Sequence, residues 1–279
     1  MNKKVKLVLT VIALACLLTG CSTATTEITT ATTFEEMMSE GFFAAIITYP
    51  LAQIINALTP KVGIALAIAI VTLAINAIVL AFTFKSNVAM QRMQEIQPEM
   101  QKIQAKYEGR TDQASQQRMA MEMQALYQKY DINPIGSLVT TFIQLPILLG
   151  MYNAVRRSTA VINSTFLGVS LSTTPKEAFL SLNWVCIIIY VLMIVFQLLS
   201  MKAPQWLAEW RGKQEADKHH KTYQKPQQQQ NFAMTYGMVL LIGFVMLSWP
   251  TALSLYYVIY SLVNVVKTVA IDKLTHKNK

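Results

Sequence analysis

Charge is scarce in this 279-residue sequence and is missing altogether from four long stretches. Charged residues make up 14% of the chain, against about 25% in an average globular domain. Between Lys61 and Lys85 there are 23 uncharged residues, between Asp131 and Arg156 24, between Glu177 and Lys202 24, and between Lys225 and Lys267 41. Each run reaches the roughly 20 residues that cross a bilayer core as a helix. These gaps exclude an ordinary soluble enzyme and, with 53% apolar residues, a disordered chain. They also make nucleic acid a poor explanation of the net charge of +9, so no DNA binding is expected. Three cysteines build no disulfide scaffold. His219, His220 and His276 lie in a loop and in the tail, and no HExxH, Walker loop, GxSxG or paired intramembrane Asp occurs. No catalytic, metal or cofactor centre is therefore expected.

What is present starts with an export signal. Lys3, Lys4 and Lys6 precede a short apolar stretch, Leu7 to Leu18, too short for an ordinary span. Leu18-Thr19-Gly20-Cys21 resembles a bacterial lipobox. That implies a signal peptide over 1–20, removal of Cys16 with it, and lipidation of Cys21 (palmitate among the acyl groups). A plain signal peptide with a chance cysteine is the competing reading. The Ser/Thr-rich stretch Ser22 to Thr33 is too polar to fold alone, and a tether is expected over 21–41. Residues 42–60 are moderately apolar, with Tyr49, Pro50, Gln53 and Asn56. They read as a helix on the outer interface, kinked at Pro50.

The core, 61–272, divides into spans at about 62–84, 136–155, 178–200, 232–248 and 251–270. The 41-residue run is split by Gln227 to Asn231 and by Trp249-Pro250, an interfacial turn. Cys186 falls mid-span, where a small buried apolar role suits it. With the mature N-terminus outside, the inner segments carry 17 Lys/Arg and the outer ones only Lys61, Arg156, Arg157 and Lys176. This split sets the topology, with a cytoplasmic C-terminus. Arg156 and Arg157 run against it and are expected to snorkel or to pair with a neighbour. The expected fold is thus an all-α polytopic membrane protein: five transmembrane helices, a cytoplasmic helical hairpin and an outer interfacial helix.

The hairpin occupies 85–131. Met93, Ile96, Met100, Ile103 and Tyr107 form one stripe, and Met119, Met123, Leu126 and Tyr130 a second, around a turn at 108–112. Pro98 is expected to kink the first arm. Met90 and Met121 lie off the stripes and are candidates for client contact, whereas the on-stripe methionines suit seam packing. The second inner loop, 201–231, reads as a flexible, solvated linker. The tail, 273–279, is short and basic.

Inside the spans the polar residues are Thr72, Asn76, Thr140, Thr141, Gln144, Gln197, Ser254, Tyr256, Tyr257 and Asn264. In lipid such groups must find partners, either across helices or in water. Thr72 and Asn76 are one turn apart on one face. A wet groove and interhelical bonding both remain open. No Lys or Arg lies inside spans one or three as bounded above, and in span five only Lys267, near its end, which is counted with the inner basic segment.

Three stretches carry a family resemblance: Gln97-Pro98-Glu99-Met100-Gln101-Lys102; Asn133-Pro134 with Gln144-Leu145-Pro146-Ile147-Leu148-Leu149-Gly150-Met151-Tyr152; and Trp249-Pro250-Thr251-Ala252-Leu253-Ser254-Leu255-Tyr256-Tyr257. In this order they resemble the YidC/Oxa/Alb membrane protein insertases, and most closely the short, lipoprotein-type form of Gram-positive bacteria. The resemblance implies insertion and folding of nascent membrane segments through a hydrophilic intramembrane groove, alone or with the Sec translocon. It implies groove roles for Thr72, Tyr257 and, with looser alignment, Gln197; Asn76, Gln144 and Tyr256 are further groove candidates. Asn76 stands where the family usually has an arginine, and Ala81-Phe82 where a proline is usual. The short tail leaves ribosome contact open. A small-solute transporter or channel is the rival reading, although no internal repeat is visible. An assembly scaffold is a third.

Overall fold

A computed structural model describes residues 26–218 and 232–276, with side chains at 134–142, 215, 232–235, 238 and 276 left aside. The export signal, Cys21, the first tether residues, His219, His220, the glutamine run and the last three tail residues lie outside the described residues. The chain forms two compact units. One is the described part of Met1–Val79, Thr141–Gln197 and Val239–Ser261; the other is that of Leu80–Thr140, Leu198–Met238 and Leu262–Lys279.

In the first unit, residues 28–40 are more ordered than a tether. Ile28 is fully buried and forms a parallel bridge with Ser158. Its N–H donates to the Arg157 carbonyl at 2.7 Å, and its own carbonyl accepts from Asn56 Nδ2 at 2.7 Å. Gln53 Nε2 donates to the carbonyls of Thr29 and Thr32. Helix α1 (Phe34–Glu40) then opens on a capping box, with Glu36 N–H donating to Thr33 Oγ1 and Thr33 N–H to Glu36 Oε2. A polar segment that cannot fold alone is ordered here because neighbouring side chains satisfy its backbone.

Instead of a simple kink at Pro50, a π-helical turn (Ala44–Thr48) precedes α2 (Tyr49–Val62). Tyr49 N–H reaches back to the Ala44 carbonyl. This wider turn sits where the proline withholds its N–H. Helix α3 (Ile64–Glu95) follows Gly63, whose φ is +80°. It extends past the expected end at residue 84 and breaks at Ile96, because Pro98 can only sit in the first turn of a new helix, α4 (Gln97–Lys106).

In the second unit α4 pairs antiparallel with α5 (Gln113–Lys129). Lys106 Nζ lies 2.6 Å from Glu122 at the turn end, and Lys129 Nζ 3.4 Å from Glu99 at the other. The turn uses Gly109 at φ +77°, and Asp112 caps α5 by accepting from Ser115 N–H at 2.8 Å. Ile96, Leu126 and Ile132 are buried in the seam, flanked by Met93, Met100, Ile103, Tyr127 and Tyr130. Met119 and Met123 are partly buried but outside that cluster.

Helix α6 (Pro134–Arg157) leads to α7 (Thr159–Asn163), capped by Ser158. A two-stranded ribbon, β1 (Thr165–Phe166) and β2 (Val169–Ser170), adds strand to a chain read as all-α. Its turn has Leu167 and Gly168 both at positive φ, the hand that matches strand twist. Helix α8 (Pro175–Leu180) has a second capping box, Thr174 with Glu177. Because α8 ends there and Leu182 turns to φ +55°, the next helix, α9 (Trp184–Lys218), starts at Trp184 and not at the expected residue 178. Cys186, fully buried, therefore sits in the first turn of α9 and not mid-span. Residues 201–218, expected to be a flexible linker, continue α9. Leu207, Ala208, Lys213 and Gln214 are good helix formers, and Pro204 removes one backbone bond only.

Helices α10 (Phe232–Met246) and α11 (Thr251–His276) flank the Trp249-Pro250 turn. That turn is tied to the ribbon side by Thr251 N–H to the Thr173 carbonyl and Ala252 N–H to the Leu171 carbonyl, both 2.9 Å. Among the described residues α3, α9 and the Thr251–Thr275 part of α11 are long and apolar enough to cross a membrane. Their outward faces carry Leu66, Ile78, Phe82, Ile188 and Val266, all exposed, as lipid contact requires. The protein is a predominantly helical, multi-pass membrane protein.

Candidate functional site

Within the first unit, the start of α11 brings together three tyrosines, Tyr256 and Tyr257 side by side and Tyr260 one turn on. Tyr256 is completely buried and Tyr257 nearly so. Their rings meet edge to face at 5.4 Å between centroids, and Tyr260 stacks on Tyr256 at 5.9 Å. Tyr257 and Tyr260 pack edge to face at 6.0 Å. Gln144 of α6 donates its Nε2 to the Tyr256 hydroxyl at 3.3 Å. One turn below Tyr257, Ser261 Oγ donates to Gln197 Oε1 of α9 at 3.0 Å. An amide from α6 and an amide from α9 thus each meet a hydroxyl of α11, at positions 256 and 261. Ser254 Oγ, buried on the same helix, meets no hydrogen-bond partner among the described residues.

Thr72 and Asn76 are arranged differently. Thr72 is fully buried and donates to the Ile68 carbonyl of its own helix at 2.7 Å. Asn76, partly buried, donates Nδ2 to the Thr72 carbonyl at 2.8 Å. Both thereby satisfy a donor within α3. The expected set accordingly falls into two direct pairs to α11, Gln144 with Tyr256 and Gln197 with Ser261, and an α3 pair bonded to its own backbone. Sequence reading missed Tyr260 and Ser261. The Tyr256-xxx-Tyr260 spacing, which stacks rings along a helix, was the available signal for the first.

At the other end of α6, Arg157 is almost wholly buried and grips Glu40 of α1 with Nη1 and Nη2, each at 2.7 Å. Its Nε donates to the Thr26 carbonyl at 2.7 Å. Beside it, Asn56 Oδ1 accepts from Ser158 Oγ and Ala160 N–H. Arg156 lies over the Tyr152 ring at 5.7 Å and donates to its hydroxyl. Of the two alternatives for these arginines, the structure shows pairing.

In the second unit Asp272 is buried and accepts from Arg211 Nε at 2.8 Å, from Arg211 Nη2, and from Gln91 Nε2 at 3.0 Å. Met90 and Met121 are exposed, Met121 by 61%. In the helical pair, Lys106 and the Tyr107 hydroxyl hold the Glu122 carboxyl below the usual carboxylate range, and Glu122 raises Lys106. Neighbouring Glu99, with partial burial, raises the Tyr130 phenol. Among the described residues no His/Cys/Asp/Glu group could hold a metal.

Span-length apolar helices, with a buried tyrosine cluster that a partly buried amide reaches, define a polytopic membrane protein. The profile of the 60Kd inner membrane protein family matches residues 54–279. The chain is 30% identical over 270 residues to "Membrane protein insertase MisCA" of Bacillus subtilis, covering 96% of this chain and 91% of that one. It is 29% identical over 275 residues to "Membrane protein insertase YidC" of Oceanobacillus iheyensis, covering 98% of each. It is 31% identical over 261 residues to "Membrane protein insertase YidC 2" of Bacillus anthracis, covering 93% of this chain and 89% of that one. The chain belongs to the 60Kd inner membrane protein family, the YidC/Oxa/Alb group that its sequence resembles.

Proposed function

We propose that the protein is a membrane protein insertase and folding chaperone of the cell membrane, acting on nascent membrane segments, with membrane lipids as its second partner. Family membership over 54–279 carries the reading. The polar pairs on α11 supply the physical route. A segment entering a bilayer must bring polar groups past an apolar barrier of about 30 Å. Gln144 with Tyr256, Gln197 with Ser261, and Tyr257, together with Thr72 and Asn76 on α3, offer hydrogen-bonding and aromatic partners part of the way. Burial of the client's apolar span in lipid then drives its release, and no cofactor or chemical step is needed.

The finer reading has five spans, the mature N-terminus outside with Cys21 lipidated, and the C-terminus inside. The boundaries are a signal peptide over 1–20, an interfacial helix over 42–60, a core over 61–272 with a cytoplasmic hairpin over 85–131, and a tail over 273–279. The 17-to-4 distribution of basic residues supports that orientation. On this topology Met90 and Met121 face the cytoplasm as adaptable client contacts. Cooperation with the Sec translocon and contact with the ribosome belong to the same proposal.

The test is a photo-crosslinker at Tyr257, with a stalled nascent membrane segment as partner. A crosslink to the apolar segment of the client is expected. A Tyr257 probe that labels only lipid, while a probe at exposed Val266 labels the client, would remove the face of α11 from the mechanism.

A further inference from the structure

Helix α9 is longer than a membrane requires. Its 35 residues extend about 52 Å at the usual rise of about 1.5 Å per residue, against an apolar core of about 30 Å. Counted along the helix from Trp184, about 20 residues complete a crossing. Trp206 follows just past that point and Trp210 one turn later. In the second unit Leu199, Trp206 and Trp210 are 37%, 54% and 51% exposed, and Lys213 is exposed as well. Their helical spacing puts all four on one face. The rotation of that face is fixed from behind. Arg211 turns inward and donates to both oxygens of buried Asp272 on α11, and Gln91 of α3 donates to the same carboxylate. The guanidinium also lies 5.6 Å from the Trp210 ring, within cation–π reach.

Two neighbouring exposed indoles fit a membrane boundary, where tryptophan gathers, better than open water. Positive charge collects on the same segments. Residues 201–231 carry six basic and three acidic side chains, and 267–279 four basic and one acidic, whereas the hairpin, 85–131, has seven against six. Beside Asp272, Lys273 and Leu274 are exposed. Neither Lys213 nor Lys273 makes an ion pair among the described residues. We propose that this end of α9, with the adjoining end of α11, is a binding surface for anionic phospholipid headgroups. Trp206 and Trp210 enter the interface, and Lys213 and Lys273 meet the phosphates. Nucleic-acid phosphate would take the lysines but leave both indoles in water, so a lipid surface accounts for more of the face. The inference adds lipid selectivity to the insertase reading, and its leaflet, the cytoplasmic one, rests on the proposed topology.

The experiment uses the purified full-length protein in phosphatidylcholine nanodiscs, with Trp184→Phe and Trp249→Phe so that Trp206 and Trp210 alone fluoresce. Brominated phosphatidylglycerol is expected to quench them more strongly than the same small fraction of brominated phosphatidylcholine. Lys213→Gln should lower that preference by about fivefold, the worth of one lysine near an anionic surface, and Lys213→Arg should keep it. The protein with all four tryptophans should show the same order at smaller amplitude, which covers any harm done by the two Phe substitutions. Equal quenching by the two lipids overturns the inference. So does strong quenching by iodide with none by either lipid, which puts the face in water. Shielding from iodide by added ribosomes, again without quenching by lipid, would give the face to the ribosome and overturns it too. A membrane-impermeant maleimide that labels Lys213→Cys on intact cells, above the wild-type level, overturns the proposed topology and with it the cytoplasmic assignment of this surface. No arm reads client insertion, so the insertase reading stands or falls separately.

Discussion

Arg157 and Glu40 form a two-pronged ion pair, each contact 2.7 Å, with the guanidinium almost wholly out of solvent. The pair ties the end of α6 to α1, and the same guanidinium fixes the backbone at Thr26. Removing one partner of such a pair leaves the other charge buried and uncompensated, which costs about 3–5 kcal/mol. Glu40 keeps some solvent access, so Arg157→Met is expected near the lower end, about 3 kcal/mol, and Glu40→Gln below it. Thermal unfolding in a fixed detergent, for both single variants and the double, checks this. A double variant no worse than Arg157→Met alone shows that the two residues act as one unit.

Gly150 makes a second such junction. A Cβ built there would run into the side chain of Ile47, with Leu51 Cδ1 at 3.5 Å. The glycine lets the π-helical turn and α2 lie close against α6. Gly150→Ala is expected to cost about 1–3 kcal/mol by overpacking. Ile47→Ala in the same chain should return part of that loss, although alone it opens a cavity. Unfolding midpoints of the two single variants and the double measure the coupling. Strictly additive losses would show that the collision is relieved elsewhere.

The helical pair α4–α5 should depend on pH in a defined sense. The Glu122 carboxyl is held low by Lys106 and Tyr107. The unfolded carboxylate therefore takes up its proton at higher pH than the folded one. The resulting stability is fully present above the ordinary carboxylate range, about pH 4.3, and is lost as pH falls through the depressed folded value. Lys106 is raised by the same contact, so its share is present below the ordinary lysine range and disappears as pH rises through the raised value. Amide hydrogen exchange of residues 97–129 in the whole protein should show a protection plateau across neutral pH with loss at both ends. Glu122→Gln should lower the plateau and flatten the acid limb. Because these groups are exposed, 1 M salt should do the same.

Much of this arrangement is readable from residue order, and the exceptions share a cause. Long uncharged runs announce α3, α6, α9 and α11, because a bilayer leaves helices few alternatives. Helix ends were less legible. Pro98 and the Thr174–Glu177 box mark ends clearly, whereas hydropathy alone places the third span six residues early. Residues 26–33 have no apolar period to reveal them. Their order depends on Asn56, Gln53 and Arg157, more than 20 positions away. In the polar belt the residue types on α6, α9 and α11 were visible, but their partners were not. Nothing local says that Gln197 meets Ser261, or that Thr72 turns back to its own backbone.

That belt gives the last prediction. Tyr256 contributes both a ring and a hydroxyl, and the two are separable. Tyr256→Phe keeps the stack on Tyr260 and the edge contact with Tyr257, but leaves Gln144 Nε2 without this acceptor in a low-dielectric setting. A neutral hydrogen bond of 3.3 Å is worth about 1 kcal/mol net, so unfolding should shift by about that much. Tyr256→Ala removes a fully buried ring and should cost about 3–5 kcal/mol. For insertion the order should differ if the belt guides clients. At matched amounts of folded protein, Gln144→Leu and Tyr256→Phe should each slow insertion of a polar-tailed client by several-fold, and the double variant no further. Proteoliposome insertion rates decide this. Equal rates for wild type and Tyr256→Phe would assign the Gln144–Tyr256 bond to helix packing, with client passage carried by other residues of the face.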